Sequence, residues 1–306
     1  MSLLRGVAAR ETCREGRFYL QPGRWARPGG RPQSPAVLYN ADVGVFFSLD
    51  EQILEAVATD YNTIAVVATG VRINMDVEGA TFATWHPRFL MTGYSWDALS
   101  AACLLRADGP PATVLLLGLA GGTVARQLRA LAPDAAITGV DIDAGVVDLA
   151  RRYMGLDELG IDVVLADADR FLAETELRFD AIVEDLFLSG PGDVARPRVP
   201  VGERLALITA RLAPGGIVVT NLITEPGGPH FALRRQVRRV FPEVFSSVRV
   251  VRPPRGFNEI LVGGERSRPG TALRGHADRL AEPYDRWLFE GIRVRLLRRA
   301  ASRRAA

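Results

Sequence analysis

TVLLLGLAGGTVARQLRALAPDAAITGVDID, residues Thr113 to Asp143, decides the fold. It opens with an apolar run, Val114 to Leu117, too short for a membrane span and suited to a buried parallel strand. A glycine-rich turn follows, Gly118-Leu119-Ala120-Gly121-Gly122, and then a helical pattern from Thr123 to Leu131. Pro133 and Asp134 break that pattern, and a second apolar strand, Ala136 to Val140, ends on Asp141. Strand, glycine turn, helix, strand and carboxylate make up half of a nucleotide-binding α/β domain. The glycines let the backbone approach a ligand closely. Asp141, about 20 residues beyond the turn, is placed to accept hydrogen bonds from a ribose diol.

Downstream, strand and helix patterns alternate. Helix Ala144–Tyr153 is followed by strand Asp162–Leu165 and helix Ala168–Glu174, then by strand Asp180–Glu184 and, after a loop, helix Gly202–Ala213. Strand Ile217–Asn221, helix Pro229–Phe241 and two closing strands, Ser246–Val251 and Asn258–Val262, complete the series. Such alternation with apolar strands predicts an α/β, doubly wound, mostly parallel sheet. The closing pair has no room for a helix between its strands, so one of them is expected to be an antiparallel edge strand.

Upstream, Ala36 to about Trp85 reads as short strands with Gly70 and Gly79 as hairpin turns, and with Leu49–Ala58 as a short helix. His86–Tyr94 reads as a loop, and Ser95 as the N-cap of a helix running to Arg106. The expected organisation is therefore a poorly ordered Arg/Gly/Pro-rich lead-in (1–35), a small β domain (36–94), the nucleotide-binding domain (95–265) and a basic helical tail (266–306). Arg293, Arg295, Arg298, Arg299, Arg303 and Arg304 crowd that tail, and a solvated helix end accounts for them.

Composition narrows the chemistry. The chain has 306 residues, 48% of them hydrophobic and 24% charged, with a net charge of +3, so nothing global points to nucleic acid or membrane as a partner. It contains no lysine, and all 38 basic residues are arginine. That excludes a Schiff-base lysine, a lysine general base and a P-loop lysine. Cys13 and Cys103 lie far apart, and His86, His230 and His276 are scattered, so no metal site is expected. Met1–Arg5 carries no apolar signal region and no stretch reaches spanning length, which makes a cytoplasmic location the expectation.

In an open α/β sheet the ligand lies beyond the carboxyl ends of the strands. Those ends deliver Gly118 to Gly122, then Asp141 with Ile142 and Asp143, then Asp167 with Ala168, then Asp185. Each Asp alone is explained as a helix cap or turn former, and Asp143 and Asp167 directly precede helices. A glycine turn or a carboxylate at each of four consecutive strand ends is harder to explain by capping alone and points to a site on this edge. Asp141 is placed for ribose hydroxyls and Asp167 with Ala168 for an adenine. Asp185 faces the reacting end, where a carboxylate orients an amine or hydroxyl nucleophile or takes its proton. Glu184 lies beside it on the alternate strand face.

LLLGLAGGTVARQL, VDIDAGVVDLARRYMGL, LADADRFL, FDAIVEDLF and RLAPGGIVVTNL are similar, in order and spacing, to successive motifs of the spermidine synthases. The resemblance covers roughly Tyr61 to Val262 and implies a Rossmann-like, seven-stranded methyltransferase-type sheet behind a small N-terminal β unit. It also implies S-adenosylmethionine or its decarboxylated form as co-substrate, with no metal, a small amine-type acceptor and, by analogy, a homodimer. On this resemblance Gly118, Ala120, Gly121 and Gly122 line the donor's methionine-derived chain. Asp141 meets the ribose, with Ile142 beside it also counted as cofactor-binding, Asp167 and Ala168 meet the adenine, and Asp185 is the catalytic acid that positions and activates the attacking amine.

The chain also departs from that pattern. The family's glycine motif carries an acid where Ala120 stands, and its acceptor loop carries a second acid where Leu188 stands. A diamine is a dication, costly to bury without paired carboxylates, which argues against authentic putrescine aminopropyl transfer. Glu184, Asp193 and Glu225 are the candidate substitutes, while Phe187 and Leu188 imply a more apolar acceptor. Two other readings stand beside this one. An NAD-dependent oxidoreductase would need a GxGxxG fingerprint that the loop does not supply. A non-catalytic nucleotide-binding module of the same fold would keep Asp141 and lose turnover.

Overall fold

A computed structural model describes residues 36–40, 45–49, 51–77, 79–190, 193–195, 201–224 and 230–297. They fall into two compact units. One holds the described residues up to Pro87 and those between Leu188 and Arg196, and the other those of Arg88–Phe187 and Pro197–Ala306. The lead-in 1–35 lies outside the described residues.

In the first unit, β1 (Ala36–Asn40) pairs antiparallel with β2 (Val45–Leu49). Strands β3 (Glu51–Ala58), β4 (Thr63–Thr69), β5 (Arg72–Val77) and β6 (Ala80–Trp85) form an antiparallel meander in that order. Two of its hairpins turn at Gly70 and Gly79, where the sequence places them. The helix expected over Leu49–Ala58 is not formed. Ile53, Leu54 and Val57 have a spacing that suits a helix, but a bulge in the pairing with β4 between Ile53 and Glu55 absorbs the extra residue. Pairing to a neighbouring strand outweighs a weak local preference.

The second unit begins with α1 (Ser95–Cys103), β7 (Thr113–Leu117), α2 (Thr123–Leu131) and β8 (Ala136–Asp141). It continues with α3 (Ala144–Met154), β9 (Asp162–Leu165), α4 (Ala168–Glu174) and β10 (Phe179–Glu184). A hairpin of β11 (Leu188–Gly190) and β12 (Asp193–Ala195), grouped with the first unit, comes next in the chain. Then follow α5 (Val201–Ala210), β13 (Leu212–Ile223), α6 (Phe231–Val244), β14 (Ser247–Arg252) and β15 (Asn258–Gly264). The tail contributes a run of 3₁₀ turns (Gly270–Arg279), α7 (Pro283–Glu290) and β16 (Arg293–Leu296).

The main sheet runs β16-β14-β15-β13-β10-β7-β8-β9. Strands β13, β10, β7, β8 and β9 are parallel, and β15 runs antiparallel between β13 and β14. In chain order the first seven strands give 3-2-1-4-5-7-6, a doubly wound Rossmann-like sheet of the methyltransferase type. An eighth strand, β16, adds antiparallel to β14. The tail is thus not helical throughout. Arg293-Val294-Arg295-Leu296 alternates with a period of two and covers the free edge of β14. Arg298, Arg299, Arg303 and Arg304 lie outside the described residues.

Leu115, Leu117, Ile182, Val218, Leu222 and Leu261 are buried with Leu172, Leu205, Ile208, Val237 and Phe241 of α4, α5 and α6. Burial of each such side chain stabilises by about 1.5–3 kcal/mol. Val114 and Leu116, equally buried, alternate to the other face, on which α1 lies against β13 and β15. Ser95 does not cap α1; Tyr94 holds the N-cap position without a side-chain bond. Asp97, inside the first turn, instead accepts from the N–H groups of Thr92 and Gly93, which lie just before the helix.

Candidate active site

After β7 the chain crosses to β8 on one side, and after β10 it crosses to β13 on the other. The carboxyl ends of β7 and β10 are therefore the topological switch point, where an open sheet leaves a crevice. Gly118 ends β7 with φ +86°, and a Cβ there would stand 2.4 Å from the Asp185 carbonyl oxygen. Only glycine allows the two strand ends this approach. The Asp185 N–H donates to the Leu117 carbonyl at 3.0 Å. Leu119 anchors the loop: it is buried and fills the space over Gly139, where a Cβ would lie 2.7 Å from Leu119 Cδ1.

Ala120 has φ +45°, the one positive value at a non-glycine among the described residues. A left-handed alanine costs about 1–2 kcal/mol. Its N–H donates to Asp141 Oδ2 at 2.9 Å, while Asp141 Oδ1 accepts from the Asp143 N–H at 3.0 Å. Burial raises the Asp141 carboxyl above its ordinary pKa, and the N–H groups of Asp143 and Ala120 oppose that shift. Each Asp141 oxygen retains further acceptor capacity, as a ribose diol requires. Gly121 and Gly122 are buried behind the loop, with Gly122 the N-cap of α2, and Ile142 is half-buried next to Asp141.

Asp143 is buried and caps α3, accepting from the Gly145 and Val146 N–H groups at 2.9 and 3.4 Å. Asp167 is exposed and caps α4 through the Arg170 N–H at 2.9 Å, with Ala168 buried behind it. Both are caps, as their positions before helices imply. Asp167 and Ala168 stand one strand further along the edge than Asp141, and the Ala166 N–H donates to the Asp141 carbonyl at 3.0 Å.

Just after β10, Asp185 is half-buried and its Oδ1 accepts from Asn221 Nδ2 at 2.7 Å. Asn221 Oδ1 in turn accepts from Asn258 Nδ2 at 3.0 Å. This relay of amides fixes the carboxylate from behind, and neither Asn was singled out from sequence. The available signal was a buried polar residue at the carboxyl end of an apolar strand. Glu184 faces the other way, with Ile182. It is buried and stands 3.6 Å from Arg204 Nη1, and Arg204 also holds Asp169 bidentately at 2.8 and 2.5 Å. Glu184 is therefore engaged by Arg204 on the sheet face away from Asp185. The Asp193 side chain and all of Glu225 lie outside the described residues. Phe187 meets His230 edge-on, ring centroids 6.4 Å apart.

Among the described residues no group of three His, Cys, Asp or Glu could hold a metal ion. Burial pushes the Cys103 thiol up to about 12, so it is not a nucleophile. No helix among the described residues is long and apolar enough to cross a membrane.

Strand order, glycine loop and edge carboxylates together define a Rossmann-like domain of the methyltransferase type. More particularly, residues 101–250, just under half of the chain, match the family model described as spermine/spermidine synthase domain. It is 33% identical over 133 residues to a Bifidobacterium longum protein named "Probable polyamine aminopropyl transferase", covering 43% of this chain and 28% of that protein. It is 33% identical over 122 residues to the polyamine aminopropyltransferase of a Ruegeria species, covering 38% and 42% of the two chains. The matches thus span less than half the length of these two curated relatives. Among solved structures, spermidine synthase from Thermotoga maritima aligns over 85% of this chain and 92% of its own, with a TM-score of 0.57 and 15% identity. Spermidine synthase in complex with the transition-state analogue AdoDATO aligns over 83% and 96%, with a TM-score of 0.57 and 16% identity. At these identities the structures share the fold.

Proposed function

We propose that this protein is a spermidine-synthase-like transferase. It moves an alkyl group, aminopropyl or methyl, from decarboxylated S-adenosylmethionine or S-adenosylmethionine to an amine-type acceptor. The observation that carries this reading is the placement of Asp185. It is oriented by Asn221, touches Gly118 through its carbonyl, and shares the switch point with the loop whose Ala120 N–H is held by Asp141.

In this reading Asp141 takes the ribose diol and Asp167 with Ala168 the adenine. The loop from Gly118 to Gly122 passes beneath the methionine-derived chain. The reaction is an in-line displacement at carbon next to a sulfonium. The acceptor nitrogen forms the new C–N bond, the C–S bond breaks, and its electron pair leaves a neutral thioether. The donor already carries the activation, so the protein contributes positioning and removal of the acceptor's proton, which passes to the Asp185 carboxylate. The Asn221 amide holds that carboxylate in one orientation.

The names of the relatives favour aminopropyl as the transferred group. Ala120 offers no charge to an aminopropyl ammonium, and Glu184 is committed to Arg204. With Phe187 and His230 at the lip, the acceptor that fits is an amine with an apolar body rather than a short diamine. Hydride transfer to a nicotinamide is not favoured, because the loop lacks the fingerprint and no relative above carries that activity. The deciding experiment is by-product analysis by mass spectrometry with both donors and a mixed amine panel. Methylthioadenosine reports aminopropyl transfer and S-adenosylhomocysteine reports methyl transfer. Formation of neither, with intact donor binding, would leave a non-catalytic nucleotide-binding module.

A further inference from the structure

Next to Asn258 on β15, and on the opposite sheet face, Glu259 is fully buried and gathers four guanidinium groups. Arg238 hydrogen-bonds its Oε1. Arg252 Nη2 and Arg234 Nη2 reach Oε2 at 2.9 and 3.3 Å, and Arg295 Nη2 stands 3.8 Å from the same oxygen. The sheet register explains the gathering. Val251 pairs with Ile260 and Arg252 with Arg293, so Arg252, Glu259 and Arg293 share one cross-strand row. Arg295 is two residues further along the same face of β16, and α6 lays Arg234 and Arg238, one turn apart, over it.

Among the described residues Glu259 is the one acid paired with these arginines, so four positive charges face one negative, a surplus of three. Burial alone would raise the Glu259 carboxyl, but hydrogen bonds from Arg252 and Arg238 and the charges of Arg238 and Arg234 hold it below its ordinary value. The carboxylate is therefore ionised at neutral pH and already counted. Two observations at Arg234 point beyond this internal pairing. Arg234 Nε is buried without a hydrogen-bond partner. Arg234 also sits in the first turn of α6, which contains no acid, where the free N–H groups of a helix favour an anion over a cation. The cluster opens outward: the Arg234 and Arg238 side chains are 19% and 24% exposed, those of Arg252 and Arg295 47% and 59%.

We propose that Arg234, Arg238, Arg252 and Arg295 form a binding site for a phosphate group, free or as a phosphomonoester, on the sheet face opposite Asp185. A lone carboxylate would leave most of the surplus unmatched. A phosphate brings up to two negative charges and several acceptor oxygens to one point, and guanidinium forks fit it bidentately. The cluster is compact rather than a stripe, which matches a single group instead of a polyanionic strand.

The test is calorimetric titration of the full chain with inorganic phosphate and, separately, with glycerol phosphate, at constant ionic strength set with chloride. Saturable 1:1 binding of either is expected, weakened tenfold or more in Arg252→Gln/Arg295→Gln. Both positions are half-exposed, and an unchanged thermal melt in chloride confirms that the variant folds. Tighter binding of one probe identifies the source as free phosphate or ester. Absence of saturable binding, or equal affinity in wild type and variant, would overturn the proposal. So would a single-stranded RNA oligomer that binds through the same arginines far more tightly than phosphate.

Discussion

Gly118→Ala is the perturbation that bears most directly on the site, because it acts where β7 and β10 come together. At φ +86° an alanine meets the left-handed penalty of about 1–2 kcal/mol. Its Cβ would also stand 2.4 Å from the Asp185 carbonyl oxygen and 3.0 Å from the carbonyl carbon, whereas real Cβ contacts stay beyond 3.0 Å. Backbone cannot rotate away as a flexible side chain does, so the strand ends must part by roughly 0.6 Å, an overpacking cost of about 1–3 kcal/mol. The total is roughly 2–5 kcal/mol in stability. The shift also moves the Asp185 carboxylate off the Asn221 amide, and since a 1 Å misplacement costs on the order of 10²-fold in rate, turnover should fall about tenfold or more. Gly160→Ala is the internal control: φ is +57° and nothing lies within 4 Å of its Cβ position, so it reports backbone strain alone. Urea denaturation and release of the thioether by-product measure the two effects. A Gly118→Ala protein no less stable than Gly160→Ala, with wild-type turnover, would refute the argued contact between the glycine loop and Asp185.

Asp185→Asn is expected to lower turnover by about 10²–10⁴-fold while donor affinity stays within a few-fold, since it removes a proton acceptor and not a donor contact. Lost donor binding with an unaltered rate would contradict that role. Asp141→Ala should weaken the donor about tenfold or more, because charge-assisted hydrogen bonds are worth roughly 1.5–3 kcal/mol; an unchanged dissociation constant would count against the ribose assignment. Asp97 is buried and its carboxyl is raised to about 6, burial outweighing the bonds from Thr92, Gly93 and Gln127. The folded state then binds the extra proton between the unfolded value near 3.8 and about 6, so stability should fall as pH rises through that window, by on the order of 2–3 kcal/mol. Asp97→Asn should flatten that part of the stability–pH curve even though it costs stability at neutral pH, and an unchanged slope would show that another group titrates there.

The fold was legible because its signals are local. The apolar run at Val114–Leu117, the turn at Gly118–Gly122 and the breaks at Pro133 and Asp134 each depend on a few neighbouring residues. Order along the chain then dictates a parallel sheet, since a strand–helix–strand unit closes in one hand. Helices Thr123–Leu131 and Ala168–Glu174 and strand Asp162–Leu165 have the limits read from sequence. The miss at Glu51–Ala58 and the strand in the tail have one cause. Both segments become strands because an edge elsewhere in the chain is available to pair, and pairing is not a local property.

The same division holds at the site. Sequence by itself determined the edge and the order in which Gly118, Asp141, Asp167 and Asp185 reach it, because strand ends follow from strand order. Only the tertiary structure decided which carboxylates are available. Glu184 and Asp185 are adjacent in sequence and chemically alike, yet alternation on β10 commits one to Arg204 and leaves the other to Asn221. Asn221, Asn258 and the four arginines around Glu259 come from segments far apart in the chain, brought into register by the antiparallel insertion of β15. Which charge meets which depends on strand register, and register is set by long-range pairing that spacing along the chain does not encode.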